Sequence, residues 1–116
     1  MKKLMLSLMI MFSSSMAFAG WGAIAYDTVT GRYGYSYGWS TRAQAETTAL
    51  SYCAATYCQV RVVGYNNYIA LAVSKTYRTV WGVGYSTNRY EALYWSMYYC
   101  NAGTTACRVL VNVRTN

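Results

Sequence analysis

The 116-residue chain contains no histidine, and beyond residue 19 its carboxylates are Asp27, Glu46 and Glu91. Acid–base catalysis uses a titratable group poised near the working pH, most often a histidine or one of a carboxylate pair. Glu46 and Glu91 fall on different predicted helices at non-equivalent places, so no paired arrangement is indicated. Lys75 could serve a Ser–Lys pairing, but no nucleophile-elbow motif accompanies it. Gly34, Gly38, Gly82 and Gly84 sit in strand patterns rather than in a phosphate-cradling loop. The inventory argues against an enzyme, and no cofactor is expected.

Cys53, Cys58, Cys100 and Cys107 are the remaining reactive types. Neither close pair has CxxC spacing and there is no histidine, so a metal site is not expected. Oxidised cysteines are not nucleophiles. What is left is binding chemistry: seven arginines, 14 tyrosines and four tryptophans. Guanidinium forks pair with carboxylates and phosphates, and Tyr and Trp give rigid contact area.

These residues must be positioned by the elements around them, and the first stretch is of another kind. Lys2 and Lys3 precede an apolar run from Leu4 to Phe12, followed by Ser13–Ser15 and by Ala17 and Ala19. That is the pattern of a signal peptide over residues 1–19, cleaved near Ala19–Gly20. A spanning helix needs ~20 apolar residues, and neither this run nor any later stretch offers them. The expectation is a soluble protein, periplasmic or secreted, with residues 20–116 forming one domain. The whole chain carries +7, and eight cations against three carboxylates beyond residue 19 leave +5. Four cysteines in an exported chain imply two disulfides, with three possible pairings.

Tyr33, Tyr35, Tyr37 and Trp39 alternate with Gly34, Ser36 and Gly38, a two-residue period that predicts a strand. Thr41 then caps a helix from about Arg42 to Cys53. Trp21–Tyr26 is a strand before them, Asp27–Gly31 a turn, and Gln59–Val63 a strand after. Tyr68–Val73 repeats the first strand, and Trp81–Ser86 echoes Tyr35–Ser40. Arg89, Ala92, Tyr99 and Cys100 match Arg42, Ala45, Tyr52 and Cys53, and Cys107–Val111 matches Cys58–Val62. The chain is therefore a duplicated β-β-α-β unit, residues 20–67 and 68–116. Equivalent placement in the repeat favours the pairings Cys53–Cys58 and Cys100–Cys107.

One unit cannot bury its helix face alone. The predicted fold is α+β: two repeats sharing one mostly antiparallel six-stranded sheet, both helices on one face. Ala45, Ala49, Ala92 and Ser96 make small helix faces, so Tyr35, Tyr37, Trp81 and Val83 are expected to point at the helices. The rival arrangement exposes that aromatic row as a ligand platform. The first choice leaves a smooth opposite face of Gly34, Ser36, Gly38, Gly82, Gly84 and alanines. Trp21, Tyr68, Arg61, Arg108 and Arg114 would ring it, a docking surface if a flat partner approaches. Tyr94, Trp95 and Tyr98 on the second helix offer an extra contact face.

Trp21-Gly-Ala-Ile-Ala25, the Tyr-Gly-Tyr-Ser strand, the helix Thr41-Arg-x-x-Ala to Cys53 and the strand Cys58-x-Val60 resemble a family of bacterial secreted proteins. That family is catalogued as domain of unknown function 4189, and the resemblance covers essentially the whole chain beyond the signal segment. It implies no shared activity, so no functional residue carries over. From the residues themselves, the expected function is an exported non-enzymatic protein that docks an acidic protein partner, of periplasmic inhibitor or immunity type. The alternative is a secreted effector or antimicrobial binding membrane or cell-wall polymers, through anionic lipid or envelope polymer. Nucleic acid fits the charge but not the export.

Overall fold

A computed structural model describes residues 19–103 and 106–116. The expected signal segment lies, but for Ala19, outside them. The elements run β1 (Trp21–Tyr26), β2 (Tyr33–Trp39), α1 (Arg42–Cys53) and β3 (Gln59–Tyr65). They continue with β4 (Tyr68–Ser74), β5 (Trp81–Ser86), α2 (Arg89–Asn101) and β6 (Cys107–Arg114). This is the predicted β-β-α-β pattern, twice.

Local chemistry sets the boundaries. The Thr41 hydroxyl accepts from the Gln44 amide at 3.2 Å and the Asn88 side chain accepts from the Tyr90 amide at 2.8 Å. Each satisfies a helix N–H that would otherwise lack a partner. α1 stops at Ala54, which adopts the left-handed conformation with φ 52°. Disulfides Cys53–Cys58 and Cys100–Cys107 then tie each helix end to the following strand. Two disulfides are consistent with an oxidising, exported environment.

The strands form two separate antiparallel sheets, ordered β2-β1-β3 and β5-β4-β6. The single six-stranded sheet is therefore a wrong expectation. β1 and β4 are each central in their own unit, with both edges filled by near neighbours in sequence. Ile24, Tyr26 and Val62 on one sheet then meet Ile69, Leu71, Val73 and Val111 on the other in a common core. α1 packs outside the first sheet on Ala23 and Ala25, and α2 outside the second on Ala72. The described residues form a four-layer stack of helix, sheet, sheet and helix.

The sheet faces are also reversed relative to expectation. A Cβ on Gly34 would strike the Ala49 carbonyl and Cys53 amide of α1, and one on Gly82 the Ser96 carbonyl and Cys100 amide of α2. The Ser36 hydroxyl donates to the Ala45 carbonyl at 2.6 Å. The small-residue face is thus the helix-docking face, not an exposed one. Small-against-small contact lets helix and sheet backbones approach closely, while the bulky residues fill the wider gap, ~10 Å, between two stacked sheets. The aromatic row divides: Trp81 and Val83 pack on the shared core, whereas Tyr33, Tyr35 and Tyr37 stand at its exposed rim.

These contacts correct the repeat alignment as well. Gly34 pairs with Ala25 and Gly82 with Ala72, so Trp81 corresponds to Tyr33 rather than to Tyr35. A two-residue slip preserves every side-chain face, and alternation alone cannot detect it.

Candidate functional site

The turn of the first unit and the loop of the second lie at the same end of the stack. The Tyr26 hydroxyl donates to the Arg78 carbonyl at 2.8 Å, and Arg78 Nη1 donates to the Val29 carbonyl at 3.4 Å. Asp27 and Ser74 begin these two connections at equivalent places. Asp27 Oδ1 accepts from the Val29 amide at 2.7 Å, and Ser74 Oγ accepts from the Thr76 and Tyr77 amides at 3.1 Å. Short polar side chains bonding to the backbone two residues on are standard turn builders. Both are buried.

Cations gather around this end. Arg61 donates through Nε to the Tyr26 carbonyl at 3.2 Å and lays its guanidinium over the Trp81 ring, 4.7 Å from the centroid. Arg108 lies opposite Val73, which pairs on its other side with Trp81. Arg32 closes the β1–β2 turn and donates to the Cys53 carbonyl at 3.2 Å, where the negative end of α1 favours a cation. Lys75 and Arg78 extend from the loop and line a surface recess of about 470 Å³ with Thr76 and Tyr77. The carboxylate at this end is Asp27, which is turned inward.

Burial pushes the Asp27 carboxyl up, but the amides of Val29, Thr30 and Tyr57 and the Thr30 hydroxyl outweigh it and hold it below the usual carboxylate range. Tyr26 beside it is raised, chiefly by burial and partly by Asp27, against the opposing pull of Arg78 and Arg61. Asp27 therefore stays charged and inward. It does not face the solvent at the surface where Arg32, Arg61, Lys75, Arg78 and Arg108 stand.

The opposite end is close to balanced. Arg42 pairs with Glu46 at 3.7 Å, and Glu91 accepts from the Ser86 hydroxyl at 2.7 Å. Arg89 and Arg114 bracket the Tyr68 ring at 5.4 and 6.0 Å. Trp21, the counterpart of Tyr68, instead packs on Tyr65 with centroids 4.9 Å apart.

The eight residues singled out from sequence thus separate into groups. Arg61 and Arg108 share the basic end; Tyr68 and Arg114 meet at the other; Trp21 stands alone with Tyr65. Tyr94, Trp95 and Tyr98 come together on the outer face of α2, in one ring cluster with Tyr99. Lys75, Arg78 and Arg32 were missed. They are scattered in sequence, and only the stacking of the two sheets brings their turns side by side.

The family model described as Domain of unknown function (DUF4189) matches residues 21–113. No curated protein and no solved structure matches the chain.

Proposed function

Since the chain belongs to the family of domain of unknown function 4189, whose description names no activity, its function rests on its own surfaces, and we propose that it is an exported, non-enzymatic protein that docks an acidic protein partner. The observation that carries this reading is the uneven charge: Arg32, Arg61, Lys75, Arg78 and Arg108 lie at one end, and the carboxylate there is buried. A one-signed patch raises the encounter rate with an oppositely charged partner and disfavours like-charged ones. Exposed Tyr57 and Tyr77 lie close by and supply rigid contact area of the kind that dominates interface energies. A periplasmic or secreted inhibitor or immunity-type protein would use such an end to cover an acidic site.

The test compares two sets of alanine variants in capture of envelope proteins on immobilised protein. Lys75, Arg78 and Arg108 to Ala should abolish capture of acidic proteins, with strong salt dependence in the parent. Arg42 and Arg114 to Ala should leave it intact. Arg61 is spared because its stem and guanidinium pack on Trp81, so its loss would disturb the fold. Equal capture by both variant sets would remove the basic end from consideration. Binding to anionic vesicles or cell-wall polymer with no protein captured would favour the second reading, an envelope-directed effector.

A further inference from the structure

The four edge strands are guarded unequally. β3 carries Arg61 and β6 carries Arg108 and Arg114, and both edges break register against their central strand, at Ile24/Ala25 and Leu71/Ala72. Charges and bulges are the usual means of stopping a free edge from recruiting another strand. β2 is uncharged, but it breaks register opposite Trp21/Ala23, and its Gly38 adopts φ 75° and gives its amide to the Thr115 carbonyl at 2.7 Å. β5 has none of these devices. Trp81–Ser86 contains no charge and no proline, and pairs with β4 without interruption.

The polar groups on that edge can be assigned. The Ser74 amide donates to the Val80 carbonyl at 2.9 Å, and the Lys75 amide to the Ala106 carbonyl at 2.7 Å. Even-numbered residues of β4 therefore bond toward β5 and odd-numbered ones toward β6. Antiparallel ladders alternate, so Gly82, Gly84 and Ser86 bond inward while the amides and carbonyls of Trp81, Val83 and Tyr85 point outward. Beside them runs a groove of about 280 Å³ between the strand and the Trp95 and Tyr99 rings of α2.

We propose that this edge pairs with the same edge of a second copy of the chain, antiparallel about a dyad at Val83. The match is self-complementary: Trp81 faces Tyr85 of the second copy twice, and Val83 faces Val83. Aromatic pairs are favourable cross-strand neighbours. Gly82 and Gly84 leave no side chain on the helix side, so the two grooves merge and Trp95 and Tyr99 of both copies close over the joint. Charge selects this occupant over an acidic one. β5 itself carries no cation, and the nearest one, Arg61, is already engaged by the Trp81 ring and the Tyr26 carbonyl. The antiparallel arrangement sets the basic end of each copy beside the other copy's balanced end, keeping the like-charged ends apart. The result is one continuous six-stranded sheet across two chains. The contact uses none of Lys75, Arg78 and Arg108, the cations replaced in the docking test, so its failure and that of the docking proposal are read separately.

Sedimentation velocity over a range of concentrations, with hydrogen exchange on the same samples, tests the pairing. The wild type should sediment as two chains, and the amides of Trp81, Val83 and Tyr85 should gain protection as concentration rises. Tyr85→Lys, at a side chain 67% exposed, should weaken the dimer at least about tenfold. Tyr37→Lys, at the equivalent place on β2, should leave it unchanged. A one-chain species at every concentration, a dimer indifferent to Tyr85→Lys, or exchange at those three amides independent of concentration overturns the proposal. Should Tyr85→Lys fail to fold, the wild-type exchange decides alone.

Discussion

Helix α1 meets its sheet through Ala45, Ala49 and Cys53, and α2 meets its own through Ala92, Ser96 and Cys100. The inward positions are the same, one for one, and all are small. The outward positions are not. Where α1 has Thr47, Thr48 and Ser51, α2 has Tyr94, Trp95 and Tyr98, although Arg42 and Arg89, and Tyr52 and Tyr99, are shared. Packing explains the first fact: a helix that approaches a sheet over Gly34 or Gly82 has no room for a larger side chain. It does not explain the second, because an exposed Thr or Ser serves the fold as well as a ring. Of the rings that distinguish α2, Trp95 lines the groove beside the unguarded β5 edge, and the matching Thr48 of α1 lies with Trp39 at the interrupted edge of β2. The difference between the helices therefore follows the difference between the edges.

The strongest test of the inward identity is to fill it. Gly34→Ala and Gly82→Ala each drive a methyl group into helix backbone, and each should cost about 1–3 kcal/mol of stability by chemical denaturation. A near-neutral result at either position would mean that its helix does not sit where the equivalence places it. An exposed small-residue face, as expected from sequence, predicts near-neutrality at both.

The two turns should part company in acid. The folded Asp27 carboxyl lies below its ordinary value of 3.8, so its contribution is complete above that value and is lost as pH falls through the lower folded one. Stability should therefore decline on the acid side in the wild type, and Asp27→Asn, which keeps an accepting oxygen, should flatten that decline. Ser74→Ala removes the matching hydrogen bonds of the second turn and should lower stability equally at every pH. Thermal unfolding between pH 2 and 7 separates the two behaviours. An unaltered acid limb in Asp27→Asn would make the turns equivalent after all.

The smallest stability effect belongs to the outward faces. Giving α2 the residues of α1 through Tyr94→Thr, Trp95→Thr and Tyr98→Ser should change folding stability by no more than about 1 kcal/mol. The same variant should lose most of its self-association. A large loss of stability would show instead that the ring cluster holds α2 in place.

Several features were legible because they are local. Alternation gave the strands, Thr41 marks the first cap, and the duplicated Arg-x-x-Ala…Cys pattern placed both helices and both disulfides. The aromatic surface of α2 could be seen as residues in excess of what its counterpart needs. The basic end could not be seen, because Arg32, Arg61, Lys75, Arg78 and Arg108 belong to different strands and turns. A signal for the stacked sheets was present and misread. β1 (WGAIAY) and the first six residues of β4 (YIALAV) are apolar on both faces, as strands covered on both sides must be.

By itself, then, the sequence determined the two β-β-α-β units, the cap of the first helix and the crosslinks, since these depend on neighbours a few residues apart. Tertiary structure decided which face of each sheet meets a helix, that the sheets stack rather than join, and which cations share an end. A two-residue period states that two faces differ, but not which is covered. That choice is made by volume: the narrow gap under a helix takes Gly, Ala, Ser and Cys at its centre, and the wider gap between sheets takes Ile, Leu, Val and the rings.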